Sequence, residues 1–391
     1  MTALQPGNAL GRVFAKRAGI AGAIVGLAAA GVAAGIAVER YLVGKGRSVP
    51  DPHADEPFGQ LPADQVLTVR VDGDVDLHVE VVEPPGDQPA DLTVVFVHGF
   101  CLDMGTFHFQ RRYLPELSSP RIRMVFYDQP GHGRSGRIAA GEYTLESLGA
   151  ALRRVIDTVA PSGPLVLVGH SMGGMTIMAL AEQDPELFSD RVVGVALIST
   201  TAGGLDDVTF GLPEGLARFR RSLIPLLTGV NRLSPTVVER ARRISSDLAW
   251  LLTKRYGFGG ERPSPSLVSY VEEMNSRTRL DVIVGYLRTL FEHVRHDALT
   301  TLRGIETLVL CGEKDLLTPV THSEEIARLL PDAKLVIIQN GGHVALMEFS
   351  DTVNRHLADL LTRAMKAAAS TGKGSNQTRE NRSRWSRRRS S

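Results

Sequence analysis

From residue 66 to about 370 the chain alternates short apolar runs with stretches whose apolar positions recur at helical spacing. The runs at 66–71, 77–82, 93–97, 123–127, 165–168, 192–198, 307–310 and 334–338 read as eight strands. The first two are joined across Asp72-Gly73-Asp74 as an antiparallel hairpin. Helical periodicity falls at 106–117, 145–159, 172–183, 319–330 and 351–369. Strands buried on both faces and separated by helices predict an α/β domain, a mostly parallel sheet covered by helices on either side.

Two stretches break this rhythm. Residues 200–299 are helical throughout, with apolar groups Leu216/Phe219/Leu223, Leu248/Leu251/Leu252 and Val282/Tyr286/Leu290. Arg218, Arg220, Arg221, Arg240, Arg242 and Arg243 punctuate them. Near the start, residues 18–38 form an unbroken run of 21 Ala, Gly, Ile, Val and Leu, with Arg12, Lys16 and Arg17 before it and Glu39 and Arg40 after. At about 1.5 Å per residue that run spans a bilayer as a helix. Gly22/Gly26 and Gly31/Gly35 repeat the spacing of close helix pairing. Three readings compete: a retained membrane anchor, a signal peptide cleaved near Ala28-Ala29-Ala30 and followed by secretion, and a soluble alanine-rich helix. The length exceeds the usual signal core and favours the anchor, with the membrane side left open.

Composition is that of an ordinary globular protein, 43% hydrophobic and 22% charged in 391 residues. Two cysteines, Cys101 and Cys311, are too few for a disulfide scaffold and read as small buried or half-buried thiols. The net charge of +1 conceals an asymmetry. Residues 370–391 hold seven Lys/Arg against Glu380 alone, a net of +6, so the rest of the chain carries −5. This tail has no apolar pattern and reads as disordered, suited to anionic lipid but to no specific nucleic acid. Residues 46–65, with Pro50, Pro52, Pro57 and Pro62, read as a linker. The expected organisation is a tail and anchor over 1–45, a linker over 46–65, a core over 66–199 and 300–369, a helical insertion over 200–299, and the basic tail.

The chemistry centres on Gly169-His170-Ser171-Met172-Gly173, where an apolar strand gives way at once to a helix. G-x-S-x-G is weak evidence by itself. In a strand–turn–helix context it is a nucleophile elbow, whose glycines leave room for a turn that presents the serine hydroxyl. A serine needs a base to take its proton, and the base needs an anion to fix its tautomer. Candidates follow in that order: Asp315, just past the strand at 307–310, and His343 in the glycine-rich loop after the strand at 334–338. Glu313 and Asp351 rival Asp315, and Asp351 also reads as a cap of the last helix. The N–H groups of Phe100, after the strand at 93–97, and of Met172 are the expected oxyanion donors. His98 and His132 read as braces of their loops. Neither a metal cluster nor a nucleotide-binding loop is evident, so no cofactor is implied.

Taken together, His98-Gly99-Phe100, residues 128–135, residues 169–174, Asp315 with Pro319, and Gly342-His343 resemble the α/β-hydrolase fold family, in its serine esterase, lipase and acylglycerol-lipase-like branch. The resemblance covers roughly residues 65–365. It implies an eight-stranded α/β-hydrolase sheet with a helical cap inserted after strand 6. It also implies a Ser171–His343–Asp315 triad acting through an acyl-enzyme on carboxylic esters, and the apolar groups of the insertion point to apolar acyl chains. Asp128-Gln129 is shared with proline iminopeptidases, but the residues around Ser171 depart from the peptidase pattern. An acyltransferase using the same triad stays open, as does a non-catalytic binding or scaffold protein on this fold.

Overall fold

A computed structural model describes residue 41 and residues 43–139, 141–209 and 246–373. The apolar run at 18–38, the arginines and apolar group between 216 and 243, and most of the basic tail lie outside the described residues. Eight strands form one sheet in the order β1-β2-β4-β3-β5-β6-β7-β8. They are β1 Gln65–Val71, β2 Val75–Val82, β3 Leu92–Val97, β4 Ile122–Tyr127, β5 Leu165–His170, β6 Val192–Ile198, β7 Glu306–Gly312 and β8 Lys334–Ile338. The first hairpin pairs antiparallel and β2 runs antiparallel to β4, while every pair from β4 to β8 is parallel.

Alternation along the strands divides the core in two. Val95, Val97, Leu165, Leu167, Val195 and Leu197 face helices α2 (Leu145–Val159) and α3 (Met172–Gln183). Val94, Phe96, Val166, Val168, Ala196 and Ile198 face α1 (His108–Tyr113) and the long α10 (Ser350–Thr371). The start of α2 is fixed by a capping box: Thr144 Oγ1 accepts from Ser147 N–H at 3.1 Å and Ser147 Oγ from Thr144 N–H at 3.2 Å. Short helices α4 (Pro185–Asp190) and α9 (Ala345–Glu348) fall in stretches too brief to show a period. The helix expected at 106–117 is instead a 3-10 turn (Met104–Phe107), α1 and a second 3-10 turn (Leu114–Glu116). Pro115 has no N–H to continue the ladder. Helix α8 (Val320–Leu329) follows β7 as expected.

Between β6 and β7 the described chain forms α5 (Ser246–Gly257), α6 (Pro265–Arg277) and α7 (Leu280–Phe291). Val282, Tyr286 and Leu290 are buried against the core, whereas Leu248 and Leu252 stay exposed.

The segment 46–65 is not a free linker. The Asp51 carboxylate accepts from the Ser266 hydroxyl at 2.6 Å and from the Ser264 hydroxyl, at the start of α6. Glu56 pairs with His108 Nε2 at 2.7 Å and with Arg112. Phe58 stacks on Tyr270 with ring centroids 4.5 Å apart. Its proline-rich composition suggests a tether, but its carboxylates and phenylalanine find partners on α1 and α6. The boundary at residue 45 moves as well, since Val43 is already buried in the core.

Candidate active site

Strand β5 ends at His170, and Ser171 occupies the sharp turn before α3 with φ 53° and ψ −120°. This left-handed conformation is costly for a residue with a side chain and persists because its surroundings over-determine it. Ser171 N–H donates to Ile198 O at 2.9 Å, and Thr200 Oγ1 donates to Ser171 O at 2.7 Å. A Cβ at Gly173 would land on the Val97 carbonyl, and one at Gly169 would come within 2.6 Å of Gly174 N. Glycine is therefore required on both sides of the serine.

The loops after β7 and β8 bring the other two candidates to Ser171. Ser171 Oγ donates to His343 Nε2 at 2.9 Å, and His343 Nδ1 donates to Asp315 Oδ2 at 2.8 Å. Leu317 N–H and Thr318 N–H each donate to Asp315 Oδ1 at 2.9 Å, and Thr318 Oγ1 donates to Oδ2 at 2.8 Å. Burial pushes the Asp315 carboxyl up, but the His343 imidazole and these hydrogen bonds outweigh it and hold the group below its ordinary value. Asp315 is thus an ionised acceptor that fixes the imidazole with its free lone pair toward the serine. Of the rivals, Glu313 is turned to Asn340 N–H at 3.0 Å. Asp351 lies in the first turn of α10, whose N-cap is Phe349 rather than Asp351.

On the other side of the serine stand Phe100 and Met172. Both line the cavity that holds Ser171, and neither backbone N–H donates to another group among the described residues. The loop carrying Phe100 is braced by His98: Nδ1 donates to Gly99 O at 2.8 Å, and Nε2 accepts from Gln129 N–H at 2.8 Å. A ring nitrogen that accepts from an amide carries no proton, so His98 is neutral. Burial, aided by nearby His132 and His170, lowers its pKa well below the usual imidazole value. The Gln129 side chain continues the brace to His98 O at 2.6 Å and accepts from Thr176 Oγ1 on α3 at 2.9 Å. His132 Nδ1 donates to Pro130 O at 3.1 Å across its own turn.

The serine opens into a cavity of about 510 Å³ whose walls are mostly apolar, among them Met175, Leu205, Leu287, Leu290, Leu317 and Val271. Helix α5 contributes Ala249, Leu252, Thr253 and Tyr256, residues one helical face apart. One polar pair interrupts this lining: Asn275 Nδ2 donates to Thr253 Oγ1 at 3.2 Å. Thr318, His170 and Glu348 support the site without a signature in the sequence pattern. His170 Nε2 donates to the His343 carbonyl at 3.0 Å and is buried, which lowers its pKa to about 3. Nothing in the spacing announces these contacts except the position of His170 beside the serine. Cys101 is half-buried and Cys311 buried, each as a thiol.

Comparison with known sequences bears on the family and the fold. The family model of the alpha/beta hydrolase fold matches residues 93–350, well over half the chain, and the protein belongs to that family. Among curated relatives, the dihydrolipoyllysine-residue acetyltransferase component of the acetoin cleaving system of Pseudomonas putida is 27% identical over 274 residues, 68% of this chain. The chain spans 63% of that relative's length. The poly(3-hydroxyalkanoate) depolymerase of Ectopseudomonas oleovorans is 28% identical over 243 residues, 61% of this chain and 74% of the relative. A thermophilic esterase of Thermogutta terrifontis shares the fold with a TM-score of 0.59 at 24% identity, covering 77% of this chain and 99% of the esterase. Family and relatives together support hydrolase-type activity. Among the described residues no helix is long and apolar enough to cross a membrane.

Proposed function

We propose that the protein is a serine hydrolase of carboxylic esters with apolar acyl groups. The carrying observation is the line from Ser171 Oγ through His343 to Asp315, at 2.9 and 2.8 Å. In this reading Ser171 attacks the ester carbonyl while His343 Nε2 takes its proton. The Phe100 and Met172 N–H groups hold the developing oxyanion. His343 then returns the proton to the leaving alkoxide as the acyl-enzyme forms. Water, deprotonated by the same imidazole, releases the acid. The insertion over 200–299 acts as a cap that shapes the acyl site, and residues 18–38 anchor the chain in a membrane. Esters are favoured over more polar substrates because apolar side chains line most of the cavity.

Passing the acyl group to an alcohol or thiol instead of water would make the protein an acyltransferase. The Pseudomonas relative bears such a name, and the two outcomes share every step up to the acyl-enzyme. Labelling with a fluorophosphonate probe, lost on Ser171→Ala, tests the nucleophile. Product analysis with and without acceptor alcohols separates the two fates. A protein that neither reacts with the probe nor turns over p-nitrophenyl esters of any chain length is not a serine hydrolase.

A further inference from the structure

We propose that Asn275 and Thr253 form a hydroxyl-binding subsite, so that the substrate is an apolar acyl ester whose alcohol portion carries a free hydroxyl. This rests on the ester-hydrolase reading above and adds which alcohol the site takes.

The cavity that holds Ser171 has walls of two kinds. Met175 on α3, Leu205 in the turn after β6, and Leu287, Leu290 and Phe291 on α7 make one of them apolar throughout. The other is built by α5 and α6, which pack against each other. Thr253 lies on α5, and Val271 and Asn275 stand one turn apart on α6. Thr253 is buried and Asn275 half-buried. Asn275 Nδ2 donates to Thr253 Oγ1 at 3.2 Å, and no other hydrogen bond reaches either side chain among the described residues.

That single bond leaves both groups partly unused. A primary amide brings one oxygen and two N–H hydrogens, and a threonine hydroxyl brings one hydrogen and two lone pairs. Whichever way the amide is turned, the pair keeps a donor and an acceptor for whatever fills the cavity. A clamp between α5 and α6 alone has no need to face that space. A substrate hydroxyl both donates and accepts, so it satisfies the pair. A methyl in its place leaves two desolvated polar groups unpaired, which costs affinity. Among the described residues no Asp, Glu, Lys or Arg lines the cavity, so a charged group on the substrate finds no counter-ion there.

Position decides which half of the ester carries the hydroxyl. In the proposed reaction His343 returns its proton to the leaving alkoxide, so the alcohol departs beside the imidazole. Val344, the next residue, donates its N–H to Gly257 O at 2.9 Å, and Gly257 ends α5 one turn beyond Thr253. The wall with the polar pair is therefore fastened to the histidine loop. Met175 stands one turn beyond Met172, the proposed oxyanion donor, which gives the apolar wall to the acyl chain.

The test compares two esters of decanoic acid on the full chain: the glycol monoester, and the propyl ester in which a methyl replaces the hydroxyl. The wild type should prefer the glycol ester about tenfold or more in kcat/KM. Asn275→Leu and Thr253→Val, each close in volume to the residue replaced, should bring that ratio to within about twofold of one. Both rates come from one protein sample, so a loss of folded protein cancels in the ratio. The ethyl ester of a hydroxydecanoic acid, set against ethyl decanoate, checks the placement. An equal or larger hydroxyl preference in that pair overturns the assignment to the alcohol. Turnover of the decanoates without a preference, or a preference that survives both substitutions, overturns the subsite and leaves the ester-hydrolase reading standing. Absence of turnover with every one of these esters overturns both.

Discussion

Glu348 Oε2 accepts the amide N–H of Gly342, the residue before His343, at 2.9 Å. The same oxygen accepts Gly259 N–H at 3.0 Å, and Oε1 accepts Gly260 N–H at 2.7 Å. Val344 N–H donates to Gly257 O at 2.9 Å, so the loop that carries His343 and the end of α5 form one backbone-to-backbone unit. Burial pushes the Glu348 carboxyl above its ordinary value even though three amides favour its ionised form. Glu348 is a positioning residue, acting on the imidazole through its loop. Glu348→Ala should lower kcat tenfold or more, the scale of one misplaced catalytic group, with a smaller change in KM. Glu348→Gln, which keeps one acceptor oxygen, should recover part of the loss. Steady-state kinetics on a short ester measure both, and an unchanged kcat in the alanine variant would show that the loop holds itself.

Asp315 and Glu313 lie two residues apart with opposite assignments. Asp315→Asn should reduce kcat by something on the order of 10⁴, the loss expected when the acid of a triad becomes an amide and the wrong imidazole tautomer is favoured. Glu313→Gln touches only the bond to Asn340 N–H and should leave kcat within about twofold. Reversed effects would make Glu313 the acid.

The eight strands are legible in the sequence because each is an apolar run bounded by turn residues; burial on both faces writes that pattern directly in β3 to β7, while the edge strands β1 and β8 keep it although partly exposed. Ser171, His343 and Asp315 are legible for a related reason: each sits at a strand end, where the pattern stops and a glycine or polar residue begins. The contacts that hold them in place are not legible. Glu348 bonds to amides of residues 259, 260 and 342, and His170 to a carbonyl 173 positions away. A side chain that bonds to backbone sets no requirement on the identity of its partner, so no residue pattern records it. Residues 46–65 mislead for a different reason. Proline and aspartate are common in free linkers, and it is the partners far along the chain, serines at 264 and 266, His108, Arg112 and Tyr270, that turn this stretch into a docked one.

On the proposed ester-hydrolase reading, the cavity should limit the length of the acyl chain. Leu287 on α7 lines it together with Leu290 and Met175. Leu287→Trp fills part of the 510 Å³ and should depress kcat/KM for long-chain p-nitrophenyl esters at least tenfold while changing short-chain esters little. Equal losses across the series would place the acyl chain elsewhere.

Buried histidines tie stability to pH. Burial pushes His132 down to about 4 and His293 to about 4, and His170 lies at about 3. Between the ordinary value of 6.5 and these values the unfolded chain takes up protons that the native protein refuses. Stability is therefore full above pH 6.5 and falls as pH drops toward 4. His132 alone contributes roughly 2 kcal/mol of loss by pH 5. The melting temperature should fall by about 5 °C or more between pH 7 and pH 5. His132→Phe, which loses the bond to Pro130 O, should melt lower at pH 7 yet show a shallower acid slope. Parallel slopes in the two proteins would mean that His132 is protonated in the folded state.

Truncation from the N-terminus separates the proposed anchor from the docked segment after it. Removing residues 1–40 deletes the apolar run and leaves Val43, Gly46 and Arg47 on α5. This form should leave the membrane fraction, keep the melting temperature of the full chain and hydrolyse a short ester at an unchanged rate. Removing residues 1–50 also strips Val43 from the core and uncovers the Trp250 indole. Burial of one valine is worth roughly 1.5–3 kcal/mol, so this form should melt about 5 °C lower. Trp250 shares α5 with the cavity residues Ala249 and Thr253, and the loss should extend to long-chain ester turnover more than to short. Equal melting temperatures for the two truncations would show that residues 43–50 rest on the core without stabilising it, and the boundary of the catalytic body would return to the first strand.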